Sequence, residues 1–85
     1  MDEDYKLIDS PLSQTMTRDG VTIKIHIYRG EDEPGWILEV VDETDASTVW
    51  DETFKTDLEA FEELIRTINT ESIRTFIENP KKYLH

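Results

Sequence analysis

The sequence predicts an α+β domain: an antiparallel β-meander of three to four strands, then one or two C-terminal helices packed on one face. Three observations predict it. Residues 21–29, VTIKIHIYR, alternate strictly, with Val21, Ile23, Ile25 and Ile27 on one face and Thr22, Lys24, His26 and Tyr28 on the other. Asp19-Gly20 precedes them, a dipeptide favoured in two-residue hairpin turns because both positions need positive φ. Thr56-Asp57-Leu58-Glu59 matches a capping box and opens an apolar stripe at helical spacing, Leu58, Phe61, Leu64, Ile65 and Ile68.

Residues 1–10 are acidic with few apolar side chains and read as a mobile arm, with Leu7 and Ile8 as the residues that would tack it onto the domain. Residues 12–18, LSQTMTR, suit a strand exposed on one face. The Asp19-Gly20 turn fixes its register: Arg18 faces Val21, Thr17 faces Thr22, Met16 faces Ile23, Thr15 faces Lys24 and Leu12 faces Ile27. Turn chemistry and burial pattern then agree, because the apolar residues of both strands share a face.

Residues 30–35, GEDEPG, form a turn by composition. WILEVVD resumes as a strand. With Arg29 opposite Trp36, Leu38 faces Ile27 and Val40 faces Ile25, so Trp36, Leu38 and Val40 join the buried face. Ile37, Glu39 and Val41 lie opposite, with Glu39 near His26. A turn around ETDAS leads to a short strand at 48–51, whose register leaves either Val49 or Trp50 pointing inward.

After the capped helix, Asn69-Thr70 reads as an interruption, because Ile73 and Ile77 fall roughly 100° off the first stripe. A second short helix is expected over 71–78, with Thr70 as its N-cap and Ile73, Phe76 and Ile77 inward. Asn79-Pro80 ends it, and 80–85 is a basic tail. The domain proper is 11–79.

With 85 residues there is room for one domain, which buries only about 60% of the surface its unfolded chain exposes. There is no cysteine, so disulfides and thiolate metal sites are excluded; this fits a cytoplasmic setting. Twenty acidic against nine basic residues give a net charge of −11, which opposes nucleic-acid and anionic-membrane partners. No apolar run approaches the ~20 residues that span a bilayer, and MDEDYKLIDS has no basic region followed by an apolar run, so no secretory signal is expected.

No stretch carries a catalytic signature. His26 beside Glu39 is a cross-strand polar pair without a nucleophile. Ser47 and Ser72 lack a GxSxG context, and there is no GxGxxG or Walker loop. Asp42, Glu43 and Asp45 fail as a calcium loop, since Ala46 and Ser47 stand at the fifth and sixth positions. No metal site, cofactor or catalytic residue is expected. Trp36 and Trp50 read as core or core-edge residues rather than a stacking site.

From Tyr28 onward, YRG, Trp36 with Glu39, Val49-Trp50, Thr53-Phe54 and a helix start at Asp57–Ala60 follow one another. This order resembles the plant ethylene-response-factor DNA-binding domain over residues 28–68. The resemblance implies three antiparallel strands on one helix, with DNA read by the sheet. That family's sheet carries several arginines; here Arg29 stands nearly alone and acids fill the turns, so DNA binding is not expected. More loosely, the chain resembles short bacterial proteins of unassigned function built from a small meander and C-terminal helices.

The leading expectation is a non-catalytic interaction module, binding a protein partner or a second copy of itself through the uncovered sheet face. His26, Tyr28, Ile37, Glu39 and Val41 are the candidate residues. The alternatives are an acidic nucleic-acid mimic that occupies a basic protein and an accessory domain of an enzyme.

Overall fold

Residues 6–78 are described by the structure, a computed structural model. Five strands and two helices follow in order: β1 Leu7–Asp9, β2 Gln14–Arg18, β3 Val21–Gly30, β4 Ile37–Val41, β5 Ser47–Val49, α1 Asp57–Glu71 and α2 Thr75–Glu78. The fold is α+β, with one antiparallel sheet. β3 is its spine. β1 and β2 both pair with one edge of β3, β4 pairs with the other, and β5 pairs with β4.

The Asp19-Gly20 turn has positive φ at both residues, 55° and 78°, and sets the expected register: Arg18↔Val21, Thr17↔Thr22, Met16↔Ile23 and Thr15↔Lys24. The ladder stops at Gln14↔Ile25, short of Leu12. There the Ser13 hydroxyl takes over both backbone groups of Ile27, accepting from its N–H at 2.9 Å and donating to its carbonyl at 3.2 Å. Leu12 still packs half-buried on the core.

The chain then rejoins the same edge one step further along. Residues 7–9, assigned by sequence to a mobile arm 1–10, form β1, with Leu7↔Gly30, Ile8↔Arg29 and Asp9↔Tyr28. β1 and β2 are thus one edge strand interrupted at 10–13, where four residues oppose two of β3, a bulge that preserves which face each side chain takes. Residues 1–5, Asn79-Pro80 and the basic tail 80–85 lie outside the described residues.

Ile23, Ile25, Ile27, Leu38 and Val40 are at most 1% exposed and form the sheet's half of the core. Each such side chain contributes about 1.5–3 kcal/mol over leaving it in water. α1 supplies Ala60, Leu64, Thr67 and Ile68. This differs from the stripe read from the sequence. Leu58 is 52% exposed, while Phe61 packs half-buried against the core and Ile65 is half-buried. The helix is rotated so that the small residues Ala60 and Thr67 are buried while Leu58 turns outward. Thr67 is accommodated by donating its hydroxyl to the Glu63 carbonyl at 2.9 Å.

Thr56 caps α1 as expected, accepting from the Glu59 N–H at 3.1 Å. The break after α1 falls later than expected. Asn69 and Thr70 continue the helix, so Thr70 is not an N-cap, and the chain turns at Ser72 (φ 80°, ψ 148°), whose N–H still bonds the Ile68 carbonyl at 2.8 Å. Ile73 and Phe76 are buried, as the sequence implied; the Ile77 side chain lies outside the described residues.

The β5 ambiguity is resolved by register. β5 ends at Val49, Thr48 pairs with Val40 and is buried, and Trp50 turns into the core beside Phe76, ring centroids 6.0 Å apart. Among the described residues no helix is long and apolar enough to cross a membrane.

Candidate functional site

The helices cover one face of the sheet. The other face is built by strand alternation alone. On β3 it carries Thr22, Lys24, His26 and Tyr28; on β4, Ile37, Glu39 and Val41. The β3–β4 register places Lys24 opposite Val41, His26 opposite Glu39, and Tyr28 opposite Ile37. All five candidate residues, His26, Tyr28, Ile37, Glu39 and Val41, therefore fall on one surface.

β1 adds two residues that the sequence reading left out of the site. Asp9 stands opposite Tyr28, and Leu7 stands opposite Gly30, which offers no side chain to cover it; Leu7 is 61% exposed. Leu7, Asp9, His26, Tyr28, Glu39 and Val41 line a shallow hollow of about 350 Å³. A second hollow of about 220 Å³ adjoins it at His26 and reaches Ser13, Gln14, Thr15 and Lys24. The alternation of Leu7 and Asp9 was the available signal, but three residues are too few to establish a period.

Within this face the Tyr28 hydroxyl donates to Glu39 Oε1 at 3.1 Å. Burial, then the Glu39 charge and the hydrogen bond to it, push the Tyr28 phenol above its usual range. Tyr28 therefore stays a neutral donor, and its ring and Glu39 are held as a unit. His26 is exposed beside them. The Ser13 hydroxyl is committed to the Ile27 backbone, and the Thr17 and Thr22 hydroxyls to each other at 2.8 Å. The chemistry the face offers is contact: an aromatic ring, four aliphatic side chains and a few paired polar groups.

The other singled-out residues serve the fold. Arg29 points to the helix side, its guanidinium 5.2 Å from the Trp36 ring centroid. Its Nη1 donates to the carbonyls of Gly30, Glu31 and Glu33 at 3.0–3.3 Å, clamping the acidic β3–β4 turn. Trp36 is half-buried against the core, and Trp50 donates its indole N–H to Glu63 at 3.3 Å.

Asp42 organises the β4–β5 turn. Its Oδ1 accepts from the Thr44 N–H and hydroxyl and from the Ala46 N–H, at 2.7–3.1 Å. Burial works against its charge, and these three hydrogen bonds outweigh burial, so its carboxyl titrates below the usual range. Among the described residues no three His, Asp or Glu side chains are grouped to hold a metal ion.

Comparisons with known protein families, with characterised proteins and with solved structures find no match for this chain.

Proposed function

We propose that this chain is a small non-catalytic interaction module, at work in the cytoplasm, that binds a protein through the open face of its sheet. One observation carries the reading. In a chain of net charge −11, the strand residues of this face include only two acids, Asp9 and Glu39, set among Leu7, Tyr28, Ile37, Val41 and Val49. Most of the other acids among the described residues lie in the turns, in the linker before α1 and on α1. A surface largely clear of like charge and furnished with exposed and half-buried apolar side chains is what a protein interface needs at its centre.

The test replaces Ile37 and Val41 together by Asp, both exposed enough to leave the core intact. Immobilised wild type and the double variant are compared for what they retain from an extract, with circular dichroism confirming that both are folded. Proteins held by the wild type and lost by the variant support the reading. Identical retention by both refutes it.

A further inference from the structure

We infer that the occupant of the open face is a second copy of this chain, stacked sheet on sheet about a twofold axis parallel to the strands between β3 and β4. This rests on the open-face reading and names its partner. Such an axis lays each residue of β3 over the residue of the other copy's β4 that already opposes it within one chain. From the register, Tyr28 comes over the second copy's Ile37, His26 over its Glu39, and Lys24 over its Val41.

Every one of these contacts is complementary. An aromatic ring meets an aliphatic side chain. An imidazole meets a carboxylate that has committed only one oxygen, Oε1, to Tyr28. A lysine stem crosses a valine while its ammonium reaches the rim. Because the axis is twofold, each contact is made twice. Aligned sheets cross at about 30°, which displaces the ends of the rows and leaves the central pair, His26 and Glu39, in place.

The charge distribution favours a copy over a basic partner. On the face itself Asp9 and Glu39 stand against Lys24, with His26 between. Most of the other acids among the described residues lie in the turns, in the linker before α1 and on α1 rather than on this face. The face is four strands wide at about 4.8 Å per strand and roughly seven residues deep at about 3.3 Å each, on the order of 450 Å² per copy. That is the scale of weak, reversible contacts.

Sedimentation velocity from about 10 µM to about 1 mM, a range matched to so small an interface, tests the inference. Wild type is expected to dimerise, more tightly as salt rises, because screening relieves the repulsion between two acidic bodies. His26→Glu sets two carboxylates face to face, and Glu39→Lys sets a lysine against an imidazole; each variant alone is expected to dimerise at least tenfold more weakly. An equimolar mixture of the two is expected to regain dimers, since glutamate then faces lysine and the unchanged His26 faces the unchanged Glu39.

Because the chain has no cysteine, a second measurement is clean. His26→Cys and Glu39→Cys proteins are mixed with a bismaleimide of about 10 Å span, the spacing of stacked sheets. The mixed 26–39 product is expected to exceed either same-site product. A monomeric wild type throughout the concentration range, a mixture that stays as weak as its components, or same-site products in excess would overturn the inference. A wild type that stays monomeric but retains another protein through Ile37 and Val41 would overturn it while leaving the interaction reading intact.

Discussion

The Ser10 hydroxyl donates a 2.7 Å hydrogen bond to the Asp57 carboxylate, joining the bulge of the edge strand to the first turn of α1 across 47 residues of sequence. The same oxygen accepts from the Leu12 N–H at 2.9 Å, while the Ser10 N–H bonds the Ile27 carbonyl at 2.8 Å. One buried serine thus holds the strand break, the central strand and the helix in a single arrangement. It stands directly after β1, whose backbone pairing with β3 carries Leu7 and Asp9 on the sheet.

Ser10→Ala is accordingly expected to destabilise the domain by about 1–3 kcal/mol, the cost of leaving part-buried hydrogen-bonding groups without their partner. Urea unfolding reads this as a lower midpoint with an unchanged slope. Asp57→Asn retains an acceptor and is expected to cost less than Asp57→Ala. A double-mutant cycle of Ser10→Ala with Asp57→Ala is expected to show a coupling of about 0.5–3 kcal/mol; additive effects would dissociate the two residues. Amide exchange in β1 is expected to rise more than in the β2–β3 hairpin.

Glu63 and Asp42 each contribute stability that acid removes. Glu63 accepts from Arg66 at 2.6 and 2.9 Å and from the Trp50 indole at 3.3 Å. The Arg66 hydrogen bonds draw its carboxyl below the usual range, against the opposing effect of burial, with Trp50 adding to the lowering. Asp42 is lowered by its turn, as described above. Both groups hold protons less tightly folded than unfolded. Their stabilisation is therefore fully present above the unfolded values, about 3.9 for Asp and 4.3 for Glu, and is lost as pH falls through the lower folded values. Denaturation followed between pH 7 and pH 2 is expected to show this loss, and Glu63→Gln is expected to flatten it. An unchanged acid limb in that variant would remove Glu63 from the account.

The phase of α1 gives a sharper contrast. Leu58 is about 120° from Leu64 round the helix at 100° per residue, and it points to solvent while Leu64 is fully buried. Leu58→Lys is expected to change stability by no more than about 0.5 kcal/mol, whereas Leu64→Ala is expected to cost about 2–5 kcal/mol. Equal losses in the two variants would restore the stripe read from hydrophobicity.

That stripe marks where the sequence stopped being informative. Both hairpin registers were legible, because Asp19-Gly20 and the isoleucine alternation are local signals that point the same way; the five residues of the candidate face followed from them. Leu58 misled because hydrophobicity was weighed without size. The small residues Ala60 and Thr67 take the buried positions instead, and Thr67 hides its polarity in a bond to its own helix. β1 was illegible for a different reason. Three residues carry no period, and what binds them is backbone pairing to the half of β3 that β2 vacates, with Ser10 and Ser13 managing the break. The helix passed through Asn69-Thr70 because the burial of Ile68 and Thr67 outweighs weak local propensity. Ser72, at positive φ, has no sequence signature for a stop.

The return of the chain beside Trp36 offers the last test. Trp36 and Phe54 exchange backbone hydrogen bonds at 2.8 and 2.9 Å, fixing the linker before α1 against the start of β4. The approach is close enough that a Cβ at Gly35 would lie 2.5 Å from Thr53 Oγ1 and 2.6 Å from its Cβ. A Cβ is bound to the backbone and cannot swing aside as a long side chain can. Gly35→Ala is therefore expected to cost about 1–3 kcal/mol, the usual penalty of overpacking, read from the urea midpoint. In that background Thr53→Ala keeps the offending Cβ and is expected to restore little, while Thr53→Gly removes it and is expected to recover part of the loss despite its added chain entropy. Equal rescue by both would place the clash at the hydroxyl rather than at the Cβ; the distances place it at both, and only the glycine clears them.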